Sequence, residues 1–227
     1  MIKLIIFDWD DVIVIGSKNG YYDCYRETLK SLGVAMSEKE MDIRIKRRWG
    51  QPFKEELREL LLEKPELLEK ANDIFYNEKF LRNTFTNALR EVKGVNQLLE
   101  KLSKKYLLAV ATGSQRNMLV DNIMPRFKIP NVFCQIVTAH DDIPAEKTKP
   151  DPLMINLILE KQRIKKEEAI FVGDAKNDVL MAKNAGVEPV VVLTGHLTES
   201  EAISLGVKFI IEDVTKMEDV IENHDSS

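Results

Sequence analysis

Cysteine and histidine are scarce in this 227-residue chain, basic charge is not in excess, and no long apolar run occurs. Each scarcity excludes a class of function. Cys24 and Cys134 form no CxxC and show no metal-ligand spacing, so they read as free thiols in a reducing compartment. His140, His196 and His224 are scattered, which gives a His-based metal site or a Ser/His triad little to build on. The formal net charge is −4 and the pI about 5.6, so there is no basic footprint and nucleic acid is not the expected partner. No stretch approaches the roughly 18–20 apolar residues that cross a bilayer. The chain opens directly on an apolar strand, without a basic-then-apolar leader, and the expected location is the cytoplasm. What is there is ordinary for a soluble globular protein: 44% hydrophobic and 31% charged residues, enough for one large domain or one domain carrying a smaller insert.

Short apolar, often β-branched runs at 4–7, 107–111, 133–137, 169–172, 190–193 and 209–211 read as strands. Amphipathic stretches of helix length at 95–104, 116–124, 152–162, 178–185, 198–205 and 214–222 lie between or after them. That alternation predicts parallel βαβ units and a doubly wound α/β sheet. One segment breaks the rhythm. From Ser17 to Thr86 there is no strand signal, and 21–32, 38–49, 53–63 and 65–82 all read as helices, with turn signals at Gly33 and Pro52. This predicts an all-helical domain, 17–86, inserted into an α/β core made of 1–16 and 87–227. Gly16, Ser17 and the residues near Thr86 would then be hinge linkers.

The chemistry-bearing residues cluster at predicted strand ends. Asp8 and Asp10 leave the first strand one residue apart, where open α/β sheets place their ligands. Carboxylates this close repel unless a cation lies between them or one holds a proton. A carboxylate can attack phosphorus, and a neighbouring carboxyl can serve as acid and then base. Ala111-Thr112-Gly113-Ser114 closes the second strand with a hydroxyl and a glycine, which suits a phosphate oxygen. Lys149-Pro150-Asp151-Pro152 precedes a helix, and Gly173-Asp174 ends a further strand with Asp178 four residues beyond Asp174. Asp178 also fits the capping of a helix N-terminus.

The ordered set DxD, Thr-Gly, Lys, GDxxxD resembles the haloacid dehalogenase superfamily, most of whose members are Mg²⁺-dependent phosphohydrolases. Phe7-Asp8-Trp9-Asp10-Asp11-Val12 carries the first motif, Thr112 the second, Lys149 the third and Gly173-Asp174-Ala175-Lys176-Asn177-Asp178 the fourth. The helical insert is similar to the cap of the subfamily that includes phosphoglycolate phosphatase and β-phosphoglucomutase. The resemblance implies a Rossmann-like core under a helical cap, with Mg²⁺ as cofactor and a small phosphorylated metabolite as partner. It implies Asp8 as nucleophile and metal ligand, and Asp10 as acid/base that offers its backbone carbonyl to the metal. Thr112 and the Gly113 amide would hold the phosphoryl group, Lys149 would balance its charge, Asp174 would bind the metal and Asp178 would support the metal site.

Two details depart from the family pattern. Asp11 stands where glycine is frequent. Lys147 competes with Lys149: it takes the lysine position if Pro150-Asp151-Pro152-Leu153 is aligned with the family's P-D-P-L, whereas Lys149 heads a K-P-x-P match and keeps the family's spacing to Asp174, which favours it. In the insert, Arg47-Arg48-Trp49-Gly50-Gln51-Pro52 resembles a Gly-x-Pro turn that faces the active site in the subfamily. An arginine there would pair bidentately with a substrate carboxylate or second phosphate; a solvated charged face is the alternative. The leading expectation is a phosphatase working through an aspartyl phosphate. A phosphomutase would use the same core. A dehalogenase needs neither Mg²⁺ nor the second aspartate, so Asp10 with Asp174 argues against it. The intact acidic set argues against a non-catalytic binding protein. Asp8 is expected to titrate low and Asp10 to be able to hold a proton.

Overall fold

The computed structural model describes residues 1–48 and 53–225. The Trp49-Gly50-Gln51-Pro52 turn motif and the final two residues lie outside the described residues.

The strands in chain order are β1 (Leu4–Phe7), β2 (Val14–Ile15), β3 (Arg90–Glu91), β4 (Leu107–Thr112), β5 (Phe133–Thr138), β6 (Ala169–Gly173), β7 (Glu188–Val192) and β8 (Phe209–Ile211). Six of them form one parallel sheet in the order β5-β4-β1-β6-β7-β8. β1 is central, with Leu4 opposite both Leu107 and Ala169 and Phe7 opposite both Val110 and Val172. All four of its residues are fully buried. A parallel strand covered on both faces needs such an unbroken apolar run, whereas a half-exposed strand would alternate. After β1 the sheet grows outward through β4 and β5, then the chain returns to the other side of β1 for β6, β7 and β8. The order reverses at β1, so the crevice between the C-terminal ends of β4, β1 and β6 is the topological switch point where such sheets bind ligands.

The chain divides into two compact units, residues 1–15 with the chain from Arg90 onward, and Gly16–Leu89. In the α/β unit, helices at Val95–Leu102, Leu153–Gln162, Lys176–Ala185 and Met217–Asp225 accompany the sheet. One core layer joins Ile155, Ile158, Met181 and Ala182 to Leu4, Ile6 and Phe171 of the sheet. Each fully buried aliphatic side chain stabilises by about 1.5–3 kcal/mol. β2 and β3 pair antiparallel as a small separate ribbon, Val14 opposite Glu91 and Ile15 opposite Arg90. Two-residue strands are too short for any alternation to register, which is why the sequence shows no sign of them.

The second unit has no strand among its described residues; its helices are Ser17–Ser31, Glu38–Arg48, Phe53–Leu60, Leu68–Tyr76 and Thr84–Ala88, with a π turn at Asn77–Leu81. Its centre is aromatic, with Tyr25 and Phe53 each stacked on Phe75 at 4.7 Å between ring centroids. The single helix expected over 65–82 is instead three pieces. Pro65 opens a 3-10 turn at 65–67, the α-helix runs from Leu68 to Tyr76, and the π turn closes it with Arg82 N–H donating to Asn77 O.

Candidate active site

Asp8 is the first residue beyond β1, yet its backbone N–H still donates to Val172 O of β6 at 2.8 Å. The sheet ladder therefore continues under the carboxylate and fixes where it points. Asp174 follows β6 in the same way, one strand over. Asp178 lies in the first turn of the helix Lys176–Ala185 and folds back. Its Oδ2 accepts from the backbone N–H groups of Asp174 (3.2 Å) and Ala175 (3.1 Å). The capping and site readings of Asp178 are thus not alternatives: one oxygen satisfies the helix start, and the other faces the site. A Cβ on Gly173 would lie 2.4 Å from Asp178 Cβ, so only glycine leaves room for that fold-back.

Oxygen atoms of Asp8, Asp174 and Asp178 lie within 4.8 Å of one another, and all three side chains are buried. Lys149 Nζ sits 2.8 Å from both Asp8 Oδ1 and Asp178 Oδ1. Lys147 does not enter this group; it pairs with Asp151 at 3.0 Å and is half exposed. With all three carboxyl groups ionised, one ammonium would leave the cluster negatively charged. Burial raises the Asp8 pKa to about 7, with Asp178 and Asp10 adding to the rise and Lys149 opposing it. Burial likewise pushes Asp174 well up, helped by Asp178, Asp8 and Asp11. Burial works against the Lys149 ammonium, but Asp178 and Asp8 outweigh it and hold its pKa above the ordinary lysine value. The expectation that Asp8 titrates low is therefore not met by the protein groups alone, because one lysine does not offset the desolvation. A divalent cation would. An all-oxygen, carboxylate-rich donor set suits a hard cation, and in this chemistry the residues fit one.

Asp10 accepts a hydrogen bond at Oδ2 from Ser114 Oγ, 2.6 Å away. Thr112 ends β4 fully buried, and its Oγ1 accepts from the Ser114 N–H at 3.1 Å. A Cβ placed on Gly113 would meet nothing within 4 Å, so the loop has free space beside it. Asp11 has φ +56°, the left-handed region that favours glycine and that aspartate tolerates better than most residues. That backbone requirement accounts for the frequent glycine at this position. Its carbonyl accepts from Thr194 Oγ1 at 2.5 Å.

Sequence reasoning missed a segment after β7. His196 N–H donates to Asp174 Oδ2 at 3.0 Å, and ligand atoms of Asp11, Asp174 and His196 also lie within 4.8 Å of one another. The histidines are scattered in sequence, but this one is not remote from the acidic site. A Cβ on Gly195 would lie 1.9 Å from Asp174 Oδ2, so the loop approaches only because that residue is glycine. Thr194-Gly195-His196 follows a strand end just as Asp8, Thr112 and Asp174 do, and that position was the available signal.

Arg47 and Arg48 belong to the helical unit. Arg47 Nη1 lies 2.9 Å from Glu59 Oε1 and Arg48 Nε 3.3 Å from Glu59 Oε2, with both arginines about half exposed.

The family model for haloacid dehalogenase-like hydrolases matches residues 5–192. The chain belongs to the haloacid dehalogenase-like hydrolase family. A phosphorylated carbohydrates phosphatase of Thermotoga maritima is 28% identical over 204 residues, covering 88% of this chain and 89% of the relative. A phosphoglycolate phosphatase of Vibrio cholerae is 28% identical over 160 residues, 69% of this chain and 67% of the relative. Among solved structures, one ascribed to a β-phosphoglucomutase of Thermotoga maritima superposes with a TM-score of 0.75 at 26% identity, covering 98% of this chain and 99% of that one. A haloacid dehalogenase-like hydrolase of Streptococcus pneumoniae gives 0.77 at 21% identity, over 97% and 98%. Among the described residues no helix of this hydrolase-family enzyme is long and apolar enough to cross a membrane.

Proposed function

We propose that the protein is a Mg²⁺-dependent phosphatase that hydrolyses a small phosphate monoester through an aspartyl phosphate on Asp8. The observation that carries this reading is the buried group of Asp8, Asp174 and Asp178 around Lys149 at the switch point of the sheet. The phosphatase names of the two sequence relatives support it.

An anionic nucleophile meeting an anionic phosphate at about 4 Å faces roughly 4 kcal/mol of repulsion per charge pair at an effective dielectric of 20. Lys149 offsets part of this. Mg²⁺, held by Asp8, Asp174 and the Asp10 carbonyl with Asp178 in support, would supply the remaining positive charge. Thr112 and the Gly113 amide hold the transferring phosphoryl group. Asp8 Oδ attacks phosphorus and the P–O bond to the leaving group breaks. Asp10 gives that oxygen its proton, then removes one from the water that releases phosphate from Asp8. The substrate class is a small phosphorylated metabolite such as a sugar phosphate or phosphoglycolate, with Arg47 or Arg48 contributing to its selection. The site would operate in the cytoplasm.

A panel of about a hundred phosphorylated metabolites, with and without Mg²⁺, tests this. Phosphate release is expected only with the metal, and Asp8→Asn is expected to abolish it while the circular dichroism spectrum persists. Turnover retained in Asp8→Asn sinks the nucleophile assignment. The structural likeness to the β-phosphoglucomutase makes a hexose 1-phosphate the substrate to watch: an isomer in place of free phosphate identifies a mutase.

A further inference from the structure

We infer that Ser114 is a positioning residue for the acid/base Asp10, tying the aim of its carboxyl to the loop that holds the phosphoryl group. The inference rests on the phosphatase reading above and assigns a role to a side chain outside the family motifs.

Ser114 makes two hydrogen bonds, one from its side chain and one from its backbone. Its Oγ donates to Asp10 Oδ2 at 2.6 Å, and its N–H donates to Thr112 Oγ1 at 3.1 Å. Ser114 is buried and its bond to Thr112 is shielded from water, while its bond to the half-buried Asp10 is partly shielded. The first contact holds Oδ2, so it fixes the plane and the aim of the Asp10 carboxyl group. The second uses a lone pair of the Thr112 hydroxyl, so that hydroxyl's own hydrogen points elsewhere, as a donor to phosphate oxygen must.

The loop is also held at its far end. Arg116 N–H donates to Asp141 Oδ2 at 2.9 Å, and Arg116 Nη2 donates to Asp142 Oδ2 at 2.6 Å and Ile136 O at 2.8 Å. Asp142 Oδ2 also accepts from the Thr138 N–H at 2.7 Å. The segment from Thr112 to Arg116 is thus fixed by β4 at one end and by the turn after β5 at the other. Ser114 sits between these anchors, where its hydroxyl holds Asp10 in register with the phosphate seat.

The test exploits the leaving group. An alkyl phosphate needs a proton on its departing oxygen, and p-nitrophenyl phosphate does not. The ratio kcat/KM reports the steps up to transfer onto Asp8, which contain that protonation. Ser114→Ala is expected to lower kcat/KM for an alkyl phosphate about tenfold, the order expected for losing one hydrogen bond to a carboxyl that becomes charged as it gives up its proton. For p-nitrophenyl phosphate the loss should stay under about threefold, since acid catalysis adds little when the leaving group departs unaided. Ser114→Thr keeps the hydroxyl and should restore the alkyl rate. Equal losses on both substrates, or no recovery with threonine, overturn the positioning role while leaving the phosphatase reading intact. A wild-type protein that hydrolyses neither substrate with Mg²⁺ overturns the phosphatase reading, and the inference with it.

Discussion

The two units treat buried charge in opposite ways. In the helical unit the buried charged groups hydrogen-bond to local partners, some of opposite charge and some neutral. Glu59 receives both Arg47 and Arg48, Glu78 receives Arg82 and Thr84 at 2.7 Å each, and Lys79 donates to Tyr21 OH at 2.6 Å. In the α/β unit three carboxylates share a single ammonium. Matched charges hold a structure together at modest net gain. An unmatched cluster is maintained only because the backbone beneath it is fixed by other forces, here a fully buried central strand. The contrast singles out the acidic cluster without reference to any relative: there three carboxyl groups share one ammonium.

The hardest blow to this contrast is removal of the one lysine. Lys149→Met is expected to lower kcat/KM by about 10²–10³-fold, as loss of a group that stabilises developing charge does. It should also cost about 3–5 kcal/mol of stability to urea, because a buried ion pair loses one partner. Lys147→Met, which breaks only a half-exposed pair with Asp151, is expected to cost less than about 1 kcal/mol and leave turnover unchanged. If Lys147→Met shows the larger loss, the phosphate lysine has been misassigned.

A smaller effect follows from the charge surplus itself. The folded Asp8 pKa of about 7 exceeds its ordinary 3.8, and Asp174 is raised too. A carboxyl raised in this way contributes stability that is full below its unfolded pKa and lost as pH rises through the folded one. Metal-free protein should therefore melt at lower temperature at pH 8 than at pH 5. Mg²⁺ should raise the melting temperature more at pH 8 than at pH 5, by a few degrees at roughly 2–4 °C per kcal/mol. An equal rise at both pH values removes the argument that the cluster is over-charged.

The smallest effect lies in the helical unit. Glu59→Ala should change stability by no more than about 1 kcal/mol, since both arginine partners are half exposed. Arg47→Ala and Arg48→Ala separate scaffold from selection. A rise in KM with kcat preserved supports a role in binding substrate, and unchanged kinetics assign both to the scaffold.

The parallel sheet was legible because a strand buried on both faces cannot hide: Leu4-Ile5-Ile6-Phe7 and Ala169-Ile170-Phe171-Val172 are unbroken apolar runs with chemistry at their ends. Asp8, Asp10, Thr112 and Asp174 were legible for the same reason, since each stands at or beside such an end. What escaped was set by pairing rather than by pattern. β2 and β3 exist only because Val14 meets Glu91 and Ile15 meets Arg90. The approach of Gly195-His196 to Asp174 depends on the loop after β7 turning toward the end of the neighbouring strand β6, and the upward shift of the Asp8 pKa depends on a burial that no local sequence encodes. The choice between Lys147 and Lys149 did not escape: spacing to Asp174 already favoured Lys149, the one that sits beside Asp8 while Lys147 pairs with Asp151.

Gly195 carries no functional group, yet its missing Cβ is the space that Asp174 Oδ2 occupies. Any side chain at 195 must evict either the loop or the carboxylate. An inventory of reactive side chains would pass over this position, whereas a mutational scan would score it beside the acids themselves. The vacancy is as much a component of the acidic site as the oxygen that fills it.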